Sequence, residues 1–163
     1  MTTGALRAGA GLASRENSAE AAVRAFFAAY RGHDVEGMVD LCTDNAGFRY
    51  VPFEVWGRQR VLYGEGKVRT VGQVIWTALI DAFPDLASAV ISLRADGDGN
   101  VAAEVGIGGT QAKDFGTIAC TGGRYQVPHL FLFQVTGDGL IDDIVAYWDN
   151  ADWKKQLGCL EVD

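Results

Sequence analysis

The sequence predicts a single α+β domain, with helices first and an antiparallel meander after them. Three observations carry this. Apolar residues recur at helical spacing up to Ala82, and alternating strands separated by glycine turns fill the rest. No repeat or linker divides the chain. Its 163 residues suit one domain with one sizeable core.

Met1 to Ser14 carries only Leu6 and Leu12 as large apolar residues and lacks the apolar middle of a signal peptide. Residues 1–15 are therefore expected to form a flexible arm, and 16–163 the domain. Asn17 with Glu20 reads as a capping pair opening the first helix, whose Ala22, Val23, Phe26, Phe27 and Tyr30 share one face. Gly32 is expected to end it, and Asp34 to cap a short second helix with Val35, Met38, Leu41 and Cys42 on one side. Phe48 to Val55 is rich in strand formers, with Pro52 marking an irregularity or an edge. Thr70 and Gln73 read as a second capping box before a third helix (Val71, Val74, Ile75, Ala78, Leu79, Ala82) that Pro84 stops.

Strands follow. Ala89–Ala95 and Val101–Ile107 flank the hairpin turn Asp96-Gly97-Asp98-Gly99-Asn100. A glycine-rich loop, Gly108 to Gly123, precedes a long strand from Tyr125 to Val135. Gly137-Asp138-Gly139 turns it into a last strand, Leu140 to Trp148. Asp149 or Asn150 can then cap a terminal helix with Trp153 and Leu157.

Composition excludes several functions. A net charge of −7 without a Lys/Arg cluster disfavours nucleic acid and anionic membrane surfaces. No apolar run approaches the roughly 20 residues of a membrane span. Cys42, Cys120 and Cys159 are far apart and match no zinc or CxxC spacing. Buried reduced thiols in a cytoplasmic protein are expected, with no metal site and no cofactor.

The string VRAFFAAYRGHDVEGMVDLCTDNAGF resembles the first helices and strand of the nuclear-transport-factor-2-like superfamily, and DAFPDL the end of its third helix. GTQAKDFGTIACTGGRYQVPHLFLFQVTGDGLIDDIVAYWDNADWKKQLG resembles the C-terminal half of SnoaL-like polyketide cyclases and ester-cyclase-like relatives. The resemblance covers about residues 18–158. It implies a cystatin-like α+β cone: a curved antiparallel sheet wrapped around three N-terminal helices, leaving an apolar cavity for a small molecule. It also implies a cofactor-free enzyme of the cyclase or isomerase type, acting on a polyketide-like or other apolar metabolite. The alternative is a binding or accessory domain without catalysis.

Parity on the long strand puts Tyr125, Val127, His129, Phe131, Phe133 and Val135 on one face, taken as the inner one. His129 would be the acid/base. His33, the other histidine, is read as a solvated or capping residue. Two family positions differ here. The cyclases' strand Asp corresponds to Phe131, and their loop His to Gln111. The oxyanion Tyr and base Asp of ketosteroid isomerases correspond to Phe26 and Tyr50, and the acid–Arg–acid set of epoxide hydrolases finds only Glu104 nearby. Those two activities are therefore disfavoured. Tyr50, Gln111 or Tyr147 would hold a carbonyl or enolate oxygen. Phe26, Tyr30, Trp56, Trp76, Phe131, Tyr147 and Asp149 complete the expected ligand contacts, although Asp149 also suits a helix cap. The outward set Gln126, Leu130, Leu132 and Gln134 is expected to pair two copies as a homodimer.

Overall fold

The computed structural model describes residues 4–51 and 64–159, with side chains from Ser18. Helix α1 spans Gly4–Arg31 and α2 Val35–Asp40, followed by strands β1 (Cys42–Val51) and β2 (Gly64–Lys67). A π-helical turn, Val68–Gly72, leads into α3 (Gln73–Ala82). Strands β3 (Ala87–Ala95), β4 (Asn100–Thr110), β5 (Arg124–Val135) and β6 (Ile141–Trp148) come next, and α4 (Asn150–Gln156) last. The strands form one sheet in the order β2-β1-β6-β5-β4-β3, curved around the helices. Among the described residues no helix is long and apolar enough to cross a membrane.

The α+β architecture agrees with the sequence, with adjustments that have physical causes. The sheet is mixed, because β1 runs parallel to β6 while every other pair is antiparallel. Parallel neighbours need a long crossover, and everything between β1 and β6 supplies it. Helix α1 is helical from Gly4, so Asn17 lies inside it rather than at its cap. The preceding Ala5, Ala8, Ala10 and Ala13 are strong helix formers and extend the helix backwards. Its left-handed terminating residue is His33 (φ 57°), not Gly32. The Asp34 N–H bonds Ala29 O and the His33 N–H bonds Tyr30 O, which is the Schellman pattern with histidine in the usual glycine place. Asp34 does cap α2, accepting from Gly37 N at 2.9 Å.

No side chain caps the turn leading into α3. Thr70 lies inside the π turn, so the Thr70–Gln73 box does not form. Glycine at position 72 lets the rings approach closely, since a Cβ there would meet the Phe48 ring at 3.0 Å and the Trp76 ring at 3.3 Å. Strand β1 starts at Cys42, six residues before the strand the sequence marks, and β2 carries no sequence signal.

The core lies between the helices and the concave face of the sheet. Phe26 packs edge-on against Phe27, Trp76 and Phe133, with centroids 5.3, 5.5 and 5.4 Å away. Each such buried side chain stabilises the fold by roughly 1.5–3 kcal/mol. Strand β5 alternates as predicted: Tyr125, Val127, Phe131, Phe133 and Val135 are buried, while Gln126, Leu130, Leu132 and Gln134 face out. Of the thiols, Cys42 is buried and Cys159 half-buried, but Cys120 is exposed on the loop, contrary to the expectation for all three.

Candidate functional site

The concave side of β5 places a histidine among aromatic rings. His129 stacks on Trp148 (5.4 Å, 25° between planes) and on Phe131 (6.1 Å, 27°). Both neighbours follow from register, since His129 lies opposite Trp148 on β6 and two residues from Phe131 on its own strand. Burial lowers its pKa from 6.5 to about 4, opposed in part by a hydrogen bond to the Val127 carbonyl. That bond runs from Nδ1 at 3.1 Å. A carbonyl only accepts, so Nδ1 carries the proton and Nε2 the lone pair. At neutral pH the ring is an uncharged imidazole and a proton acceptor.

Tyr50 stands beside it, with its ring 5.4 Å from Trp148. Its hydroxyl accepts from the Trp76 indole at 2.6 Å and is hydrogen-bonded to Tyr30. Burial raises the pKa of Tyr30, Tyr50 and Tyr125 above the ordinary phenol value. All three are therefore neutral hydroxyls at physiological pH, able to donate. Tyr125 lies on the same face of β5, two positions before Val127 and four before His129.

The other expected site residues are distributed unevenly. Phe26, Trp76 and Phe131 are fully buried and pack ring against ring. They are core, and a ligand would reach them only after displacing neighbours. Among the inward-facing residues of β5, His129 keeps the accessible surface. Trp56 lies outside the described residues. Gln111 is buried away from β5's histidine: its Nε2 donates to Ile118 O and its Oε1 accepts from Thr121 N, both at 3.2 Å. Both ends of the amide hold the loop of residues 111–123, a structural use beside the oxyanion-holding role expected of it.

Tyr147 is corrected. It pairs with outward-facing Leu130, and directly opposed residues share a face, so Tyr147 points away from the interior. The inward residues of β6 are Ile144, Ala146 and Trp148. Asp149 caps α4, accepting from Asp152 N at 2.9 Å, and is exposed. His33 is tied to the Leu86 carbonyl through Nε2 at 2.7 Å, joining α1 to the start of β3. Sequence reasoning misses Trp148 as a site residue. A signal for it exists, because a strand-end tryptophan opposite an inward histidine must share its face.

On the convex side, an open groove of about 500 Å³ runs across β3 to β6. His129 and Trp148 line it together with Ser92, Arg94, Glu104, Pro128, Leu130 and Tyr147. On the outward face of β5, Leu130 and Leu132 are 44% and 40% exposed.

A six-stranded sheet curved around helices, with a histidine among aromatic rings, defines the class: an α+β cone. Residues 23–144 match the SnoaL-like domain, and the chain belongs to that family. AclR from Streptomyces galilaeus has the same fold at 18% identity, with a TM-score of 0.71 over 90% of this chain and 89% of that one. IdmH from Streptomyces antibioticus is similar at 24% identity and TM-score 0.69, over 86% and 98% of the two chains. SalBIII, described as an epoxide hydrolase/cyclase-like enzyme in pyran ring formation of salinomycin, is similar at 20% identity and TM-score 0.63, over 84% and 95%. No protein of curated function matches the chain in sequence.

Proposed function

We propose that this protein is a small-molecule enzyme of the cyclase or isomerase type, in which His129 is a general base acting on a carbonyl-bearing, largely apolar molecule. The observation that carries the reading is the neutral, half-buried imidazole of His129, with Nδ1 held by Val127 and Nε2 left basic. Nε2 takes a proton from the carbon next to the carbonyl. The electron pair moves onto the carbonyl oxygen, and a phenol hydroxyl donates to it. The imidazolium then returns the proton to another carbon of the enolate, or the enolate carbon attacks a second carbonyl to close a ring and the imidazolium protonates the new alkoxide oxygen. Burial penalises a lone imidazolium, but an imidazolium beside the enolate it has just formed is paired, so the base strengthens as the reaction proceeds. Phe131, in the place of the family's Asp, leaves His129 to act without a carboxylate on that strand.

Hydrogen–deuterium exchange at the α-carbon of a bicyclic aromatic ketone, 1-tetralone, tests this. Wild-type protein is expected to accelerate exchange, and His129→Ala to lose at least about 100-fold of the acceleration. Equal exchange with both proteins refutes the reading. A second reading, a binding domain without turnover, is favoured by the absent Asp and by the commitment of Gln111 to its loop. Tight ligand binding with no exchange would support it.

The convex face suits a homodimer. Leu130 and Leu132 stand exposed side by side on the outward face of β5, an apolar strip that a second copy would cover. Light scattering is expected to give a dimer, and Leu130→Lys a monomer. A monomeric wild type removes the proposal.

A further inference from the structure

The imidazole of His129 is flanked by rings. Trp148 stacks on it from β6, with centroids 5.4 Å apart and planes 25° from parallel. An aromatic face carries partial negative charge, and a cation within roughly 6 Å of its centroid is attracted to it. Tryptophan is the strongest aromatic partner for such a cation. Phe131 stacks at 6.1 Å, at the limit of that range, and its ring is a weaker partner. The sheet fixes the stronger contact, since Trp148 is the register partner of His129.

The indole is itself held. Its Nε1 meets Asn150 Oδ1 at 3.2 Å, and an indole N–H only donates, so the amide presents its oxygen. Asn150 is buried and opens α4, which Asp149 caps. Trp153 and Leu157, both buried, seat that helix. Gln156 clamps it to β5, bonding both the N–H and the carbonyl of Gln126. The acceptor therefore belongs to an element fixed to the strand that carries His129. Donation to Asn150 draws the proton away from the indole nitrogen and leaves the ring richer in electrons.

We propose that Trp148 stabilises the protonated form of His129 through its indole face, and that Asn150 is the positioning residue that holds that face in place. This rests on the reading of His129 as a general base, which must hold a proton during each turnover. Burial deprives an imidazolium of hydration, and the indole face replaces part of it without bringing a second charge into the interior. Titratable side chains reach this region from the neighbouring strands: Tyr50 of β1, Arg94 of β3, Glu104 of β4 and Tyr147 of β6. His129 owes its low pKa to burial, against the Val127 bond.

The test is an NMR titration of both imidazoles in the full-length protein, with His33 as the internal reference. Tryptophan is replaced biosynthetically by 5-fluorotryptophan, which withdraws electrons from the ring face and keeps its shape. The pKa of His129 is expected to fall by about a third of a unit, and that of His33 to stay. The upper limb of the titration suffices, because the end shift of an imidazolium is known. In Trp148→Phe, fluorination should leave His129 unmoved, which assigns the effect to this indole. Trp148→Tyr serves as the same control if Trp148→Phe does not fold. Asn150→Leu should lose at least half of the fluorine shift, and Asn150→Asp, which keeps an acceptor, should retain it. An unchanged pKa of His129 on fluorination, or an equal fall in the Trp148 variants, overturns the inference. A full fluorine shift in Asn150→Leu overturns the role of Asn150. The α-exchange assay on His129→Ala reads catalysis and not this stack, so the two readings fail separately.

Discussion

The two ends of the concave interior use polar side chains in opposite ways. Around His129, the bonds of Trp76, Tyr50 and Tyr30 run from side chain to side chain. Around the loop of residues 111–123 they mostly end on backbone, the surface pair Lys113–Asp81 aside. Gln111 holds Ile118 O and Thr121 N, Thr121 Oγ1 donates to Leu157 O at 2.6 Å, and Gln156 Oε1 accepts from Gln126 N at 2.8 Å. A bond to backbone fixes the path of the chain, and losing it leaves a peptide group unsatisfied. A bond between two side chains can be redirected to a ligand without moving the backbone. The first end is therefore suited to chemistry and the second to holding the fold, although both contain residues the sequence marks as candidates.

This contrast can be broken or sharpened by measurement. The largest effect is expected from His129→Ala, with a loss of at least about 100-fold in α-exchange, set against Gln111→Ala with no loss per folded molecule. A comparable loss in both would erase the distinction. Next comes pH. The folded pKa of His129 is about 4, below its ordinary 6.5, so the unfolded chain binds the extra proton between these values. Stability is thus full above pH 6.5 and falls toward pH 4 by up to about 3 kcal/mol. Denaturant titrations at about pH 7, 5.5 and 4 should show this slope, flattened in His129→Gln. Asp85 and Asp96 have lowered pKa values and act only in more acidic solution.

Gln111→Ala is expected to cost about 2 kcal/mol, from two lost bonds at a buried position. Unfolding midpoints check it, and an unchanged midpoint would mean that the loop holds itself. Asp149→Ala should cost about 1 kcal/mol, as an ordinary helix cap does, with binding and exchange unaltered. Any loss of ligand binding in that variant would return Asp149 to the site.

Part of the site is legible in the sequence. The two-residue period of β5 assigns His129 and Tyr125 inward and Leu130 and Leu132 outward, because alternation needs no knowledge of neighbours. The caps at Asp34 and Asp149 are equally local. Tyr147 is misplaced by sequence alone because its face depends on the register of β6 against β5, which no single strand encodes. The structural use of Gln111 is missed because its partners, Ile118 and Thr121, reach it only when the loop folds back. The π turn leaves no sequence mark beyond Gly72, whose need for space comes from rings on other elements.

The sequence alone determined the class of fold, the order of the helices and of the strands other than β2, and the inner face of the longest strand. These rest on periodicity and on backbone preferences that act within a few residues. The tertiary structure decided the parallel pairing of β1 with β6, the seat of His129 between Phe131 and Trp148, and the hydrogen bond from Trp76 to Tyr50. Those depend on residues far apart in the chain meeting at hydrogen-bond or ring-contact distance, and only packing brings them together.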